Sequence, residues 1–135
     1  MKRRAAREIA FQLTYEMVMT GEYNDETKDE LLGDADLDAR DYVNSIVNGI
    51  VEHNADIKNV IVKYAKGYEY DRIYKADLAL LFVACYEIMY TKTPPAAVAN
   101  EAVEIAKIYS DVKSHAFING ILASVIANEG ESANG

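Results

Sequence analysis

Apolar residues recur along this chain at intervals of three and four, the spacing that gathers them on one face of a helix. The first stripe, Ala6, Ile9, Ala10, Leu13 and Met17, predicts a helix from about Arg3 to Thr20, stopped by Gly21. Tyr15 and Met19 lie one turn apart beside it. Residues 22–36 are polar and acidic around a short apolar pair, Leu31-Leu32, and predict a short helix ended by Gly33. Asp36 is placed to cap the next helix, whose stripe is Leu37, Tyr42 or Val43, Ile46, Val47, Ile50 and Val51 and whose end is His53-Asn54. Asn54 or Asp56 then caps a helix bearing Ile57, Val60, Ile61 and Tyr64, closed by Gly67.

Residues 68–76 are amphipathic but interrupted. From Lys75 to Tyr90 runs the most apolar stretch, with Leu78 to Cys85 uninterrupted, Ile88 and Met89 following, and Asp77 and Glu87 as its charges. It is shorter than the roughly 20 residues of a membrane span and predicts a central core helix. Asp77, near its start, suits the helix dipole. Thr93-Pro94-Pro95 reads as a capped helix start, followed by Val98, Ala102, Ile105 and Tyr109 as a buried face. Ser110 or Asp111 starts a last helix with Phe117, Ile118, Ile121, Leu122 and Val125. Gly120 inside it costs up to about 1 kcal/mol against alanine, which points to close approach by another helix. Residues 129–135 are small and polar and predict a disordered tail. No alternating strand pattern and no repeat appear, so the expected class is all-α: about seven helices in packed bundles, one domain over residues 1–128.

Composition adds location to this picture. Half of the 135 residues are apolar, enough for a sizeable core. The basic start is not followed by an apolar signal core, so a cytoplasmic protein is expected. Cys85, the single cysteine, sits among apolar neighbours and reads as a small buried filler. The net charge of −8 is localised: residues 16–41 hold ten acids and two bases, whereas the rest of the chain balances. The first seven residues carry four cations. A field so divided suits an anionic partner at one end and a basic protein at the other, or simply a solvated acidic loop.

Those cations are Lys2, Arg3, Arg4 and Arg7. On a helical wheel Arg3, Arg7 and Arg4 share one arc. Cations at a helix N-terminus oppose the dipole by about 0.3–1 kcal/mol each. Guanidinium forks suit phosphate and base edges, so nucleic acid and a plain solubilising surface are the two readings. Catalytic chemistry has no counterpart: there is no Gly-rich phosphate loop, no nucleophile elbow, and no glutamate three residues before His53 or His115. His53 reads as a boundary residue. No enzyme, metal or cofactor is expected.

Several segments, in order, carry a family resemblance. They are Arg3-Arg4-x-Ala6-Arg7-Glu8-x-Ala10-x-Gln12-x-x-Tyr15; Asp77-Leu78-Ala79-Leu80-Leu81 with Ala84-Cys85-Tyr86-Glu87-Ile88; Pro94 followed by Asn100-Glu101-Ala102-Val103-Glu104-Ile105-Ala106-Lys107; and Ser114-His115-x-Phe117-Ile118-Asn119-Gly120-Ile121-Leu122. Together they resemble the NusB transcription antitermination family from about Arg3 to Ala127. The resemblance implies two roughly perpendicular helical bundles, about residues 1–66 and 67–128. It implies binding to boxA RNA together with NusE, a small-subunit ribosomal protein, within a NusA- and NusG-containing RNA polymerase complex that transcribes ribosomal RNA operons. Matched residue by residue, it assigns Lys2, Arg3, Arg4, Arg7, Ser114, His115, Phe117 and Asn119 to RNA, and Tyr15, Met19 and Asp77 to NusE; Lys113, a departure from the pattern, joins the RNA set as an added cation. Phe117 is core by periodicity but could stack on an unpaired base, and His115 is a phosphate donor or a cap. Two positions depart from the family: Phe82 replaces a common arginine, and Lys113 stands where an acid can occur. The competing expectation is a helical adaptor, or a homodimer, that uses the acidic patch without RNA.

Overall fold

A computed structural model describes residues 1–130. Among them are seven α-helices and no strand: α1 Arg3–Thr20, α2 Asp25–Leu32, α3 Leu37–Glu52, α4 Asn54–Tyr64, α5 Lys75–Tyr90, α6 Pro95–Tyr109 and α7 Val112–Asn128. A single 3₁₀ turn, Tyr70–Arg72, lies between α4 and α5. Local chemistry sets most boundaries. Gly21 ends α1 at φ +98° and Gly33 ends α2 at φ +54°, conformations that a Cβ would strain. Asn24, Asp36 and Asp111 accept hydrogen bonds from the first-turn amides of α2, α3 and α7.

Two expected caps are shifted. His53 closes α3 and immediately precedes α4, so Asn54 and Asp56 lie inside α4 and no side chain caps it. Pro94 rather than Thr93 occupies the cap position of α6, with Pro95 as the first helical residue, where the missing N–H costs nothing.

The all-round apolar character of α5 makes it the axle. From Asp77 to Ile88 every residue except Tyr86 is buried, and α5 packs against α1, α3, α4, α6 and α7. Burying each Leu, Ile or Phe there contributes about 1.5–3 kcal/mol. The main core joins Ile46, Ile50, Ile57 and Ile61 to α5 and to Ile105, Ile118, Leu122 and Val125, so both halves of the chain share it. A smaller cluster, Ile9, Leu13, Leu32, Val43 and Val47, ties α1 to α2 and α3. Leu37, Val51 and Tyr109, expected on buried faces, are exposed. Phe82 is buried among its α5 neighbours and places its ring in the core.

The glycine of close approach is Gly49, not Gly120. A Cβ on Gly49 would lie 2.1 Å from the Tyr86 ring, whereas one on Gly120 would meet open space. Of the expected tail, Glu129 pairs with Lys63 at 3.8 Å and Gly130 is buried; residues 131–135 lie outside the described residues. No helix among the described residues is long and apolar enough to cross a membrane.

Candidate nucleic-acid interface

The four N-terminal cations separate into different roles. Lys2, Arg3 and Arg4 are exposed. Arg3 lies 3.9 Å above the Tyr42 ring and 3.3 Å from Asp38. Arg4 donates two hydrogen bonds to Glu101 of α6, at 2.7 and 2.8 Å. Arg7 corrects the sequence reading: it is only 5 % exposed and reaches Glu87 of α5, 1 % exposed, at 2.9 Å. The Tyr42 hydroxyl donates to the same carboxylate. Burial alone would push the Arg7 pKa down, but Glu87, Tyr42 and Glu101 hold it up, so it stays charged. Burial and the adjacent Glu87 also raise the Tyr42 pKa, keeping it a neutral donor. Arg7 therefore neutralises a buried acid and presents nothing to a phosphate.

At the far end of α6 the chain forms an open cleft of about 350 Å³ lined by Tyr68, Arg72, Tyr74, Lys113, Ser114 and Phe117, with Asp77 behind. Gly67, at φ +85°, turns the chain after α4 and delivers Tyr68. Tyr68 meets Phe117 edge to face, ring centroids 4.6 Å apart. Phe117 is thus half-buried, with one ring in contact and a cleft beside it. Tyr74 is 70 % exposed, and Arg72 and Lys113 also reach solvent. Aromatic rings with nearby cations are the equipment for holding unpaired bases and their phosphates.

Ser114 and Asp77 are also corrected. Asp77 is 3 % exposed and accepts from Ser110 at 2.8 Å and Ser114 at 2.7 Å. Its carboxylate braces the turn between α6 and α7 from a buried position, not from the exposed surface. Ser114, itself buried, is the other half of that brace, its hydroxyl donating to Asp77. His115 is half-buried, with Nε2 unpartnered among the described residues, and Asn119 is exposed.

Tyr15 and Met19 are exposed on α1, Met19 at 56 %. Tyr15 continues a row of rings through Phe11 to Tyr109, with the Phe11–Tyr109 centroids 4.8 Å apart. A second hollow of about 290 Å³ opens between Phe11, Gln12, Tyr15, Ala76 and Tyr109. With its exposed rings, this face has the apolar character of a protein contact.

The comparison with known proteins bears on these surfaces. The pattern of the NusB family matches residues 4–127. The chain belongs to the NusB family. A relative from Finegoldia magna, named transcription antitermination protein NusB, is 44 % identical over 93 % of this chain and 94 % of its own. Another of that name from Acetivibrio thermocellus is 41 % identical over all of this chain and 95 % of its own. Among solved structures, Thermotoga maritima NusB superposes with a TM-score of 0.89 at 26 % identity, covering 96 % of this chain and 94 % of that one. A chain from the crystal structure of the antitermination factors NusB and NusE in complex with double-stranded RNA gives 0.83 at 27 % identity, covering 93 % of this chain and 96 % of that one. Tyr68, Arg72 and Tyr74 were not singled out from sequence, and Tyr109 was read only as part of a buried face. The first three lie in the interrupted segment before α5, where no periodicity marks a role.

Proposed function

We propose that this NusB-family chain is a transcription antitermination factor that binds boxA RNA together with NusE and supports ribosomal RNA transcription, working in the cytoplasm on an RNA polymerase complex that includes NusA and NusG. It has no catalytic part in that process. The observation that carries the RNA reading is the placement of two cation-bearing regions near the two ends of one helix, Arg3 and Arg4 beside Asp38 and Glu101, and Arg72 and Lys113 beside Asp77 and Asp111. Arg4 meets α6 at Glu101, and the aromatic cleft begins just past its end at Ser110. Nine residues of helix separate them by about 13 Å. A short single strand can lie across both, with Lys2, Arg3 and Arg4 on phosphates at one end and Arg72, Lys113, His115, Phe117 and Asn119 at the other. Ser114 and Arg7 act by holding these groups in place. Phosphate contacts supply affinity, and stacking on Phe117 and Tyr74 supplies the choice of unpaired bases.

NusE is assigned to the exposed face of Tyr15, Met19 and Tyr109. A homodimer would use the same apolar face, so self-association and NusE binding should compete. Titration of fluorescent boxA RNA, with and without NusE, tests the proposal. About four to five phosphate contacts give a salt slope of roughly −3 to −3.5 for a single strand. Binding should tighten when NusE is present, because two surfaces then share one RNA. NusE binding with no RNA binding under either condition would leave a protein adaptor and remove RNA from the function.

A further inference from the structure

Two of the exposed cations that should meet RNA, Arg3 and Arg4, are already paired with acids. The N-terminal ammonium lies 3.5 Å from Asp36 and Arg3 3.3 Å from Asp38. Arg4 is the tightest case, because Nε and Nη2 both bond Glu101. That pairing fills the side-on edge of the guanidinium, the same edge a phosphate uses for two-point contact. The Arg4 hydrogen bond holds Glu101 below the usual carboxylate range, so the competitor is charged at neutral pH. Glu101 also has a second cation: Nη1 of the buried Arg7 lies 4.0 Å from Oε2, the oxygen that accepts from Arg4 Nε. Arg7 is fixed by Glu87, whereas Arg4 is on the surface and free to swing. When Arg4 leaves, Glu101 keeps a partner, and no carboxylate is stranded.

We propose that Glu101 is an internal competitor for RNA phosphate, a latch that holds Arg4 until a polyanion displaces it, with Asp38 acting likewise on Arg3. The idea rests on the RNA reading above and adds residues that oppose binding to those that make it. The ordinary worth of an exposed ion pair sets the size of the effect. Glu101→Gln should tighten boxA RNA binding about two- to fivefold at low salt, where such pairs are least screened.

The test is a double-mutant cycle with Arg4→Ala, read by RNA anisotropy in the presence of NusE and by the salt needed to elute each variant from heparin. In the Arg4→Ala background the gain from Glu101→Gln should vanish, since no arginine is left to release. A gain of equal size in that background would mean that Glu101 merely repels RNA at a distance, and the latch is wrong. Weaker RNA binding by a Glu101→Gln variant with an unchanged melting temperature would make Glu101 a residue that positions Arg4, and also overturns it. Asp38→Asn with Arg3→Ala repeats the cycle at an exposed pair whose loss does not threaten the fold, so a misfolded Glu101 variant leaves that arm to decide. If boxA RNA never binds but the heparin shift and its dependence on Arg4 persist, the latch stands and the RNA assignment falls. If boxA RNA binds and neither acid matters in either assay, the reverse holds.

Discussion

Replacing Arg7 by alanine separates a structural arginine from an RNA-binding one. Arg7 and Glu87 are almost fully buried and joined at 2.9 Å, with Tyr42 donating to the same carboxylate. Removing the cation leaves Glu87 charged in the core, beside the apolar run of α5. Breaking a buried pair in this way costs about 3–5 kcal/mol. Against a total stability of about 5–15 kcal/mol this is severe, and it corresponds to a fall in Tm of roughly 10–20 °C. The same reasoning predicts rescue. Arg7→Met combined with Tyr42→Phe and Glu87→Leu removes the charges and the orphaned hydroxyl together, and should recover most of the loss, because apolar replacement of a buried pair is often neutral or better. Urea unfolding followed by far-UV circular dichroism measures both variants. An Arg7→Ala protein that loses less than about 1 kcal/mol, yet binds RNA far more weakly, would place Arg7 at the RNA surface and refute the argument.

Glycine substitutions at two helical positions should have opposite signs. Gly49→Ala drives a Cβ into the Tyr86 ring and should cost about 1–3 kcal/mol by urea unfolding, partly relieved by Tyr86→Ala. Gly120→Ala points into open space and should stabilise by up to about 1 kcal/mol in the same assay. Burial pushes the Cys85 thiol up to about 12, so thiol reagents should label the unfolded chain and leave the native one unmodified. Burial also raises Tyr23 to about 12. Both groups are neutral when folded and deprotonate first in the unfolded chain. Their contribution is therefore intact below about pH 9 and should be lost as pH rises toward about 12, visible as a falling urea midpoint.

The helices were legible because their stripes are strong and their caps are short polar side chains at the right offset, as at Asp36 and Asp111. α5 was legible as the centre because it is apolar all round. The wheel failed at Arg7 because it fixes angles within one helix and says nothing of what packs against it. A signal was nevertheless present in the sequence: Glu87 lies inside the most apolar stretch, and a carboxylate there requires a cation from elsewhere. Asp77 carried the same signal and was assigned to a partner instead of to Ser110 and Ser114. Gly49 was hidden inside a regular stripe, and only the Tyr86 ring across from it gives it a reason. Tyr68, Arg72 and Tyr74 meet Lys113 and Phe117 across a gap in sequence that no local pattern spans.

The two buried acids of α5 explain how a rigid core can serve a surface function. Glu87 holds Arg7 and Tyr42, and Tyr42 in turn supports Arg3 from beneath. Asp77 holds Ser110 and Ser114, and so sets the start of α7 from which Lys113 and Phe117 project. One helix thus fixes the base of both ends of the candidate RNA path, although neither acid is exposed to a ligand. Cations set on such a base lose little freedom when they bind, which lowers the ordering cost that weakens most contacts with flexible chains. What would change on binding is the outermost layer of ion pairs, where Arg3 and Arg4 are proposed to exchange acids for phosphates. That division predicts weak binding alone and tighter binding with a partner: the supporting groups are fixed in advance, and the contacts that must be exchanged should gain most when a second protein surface holds the same strand close.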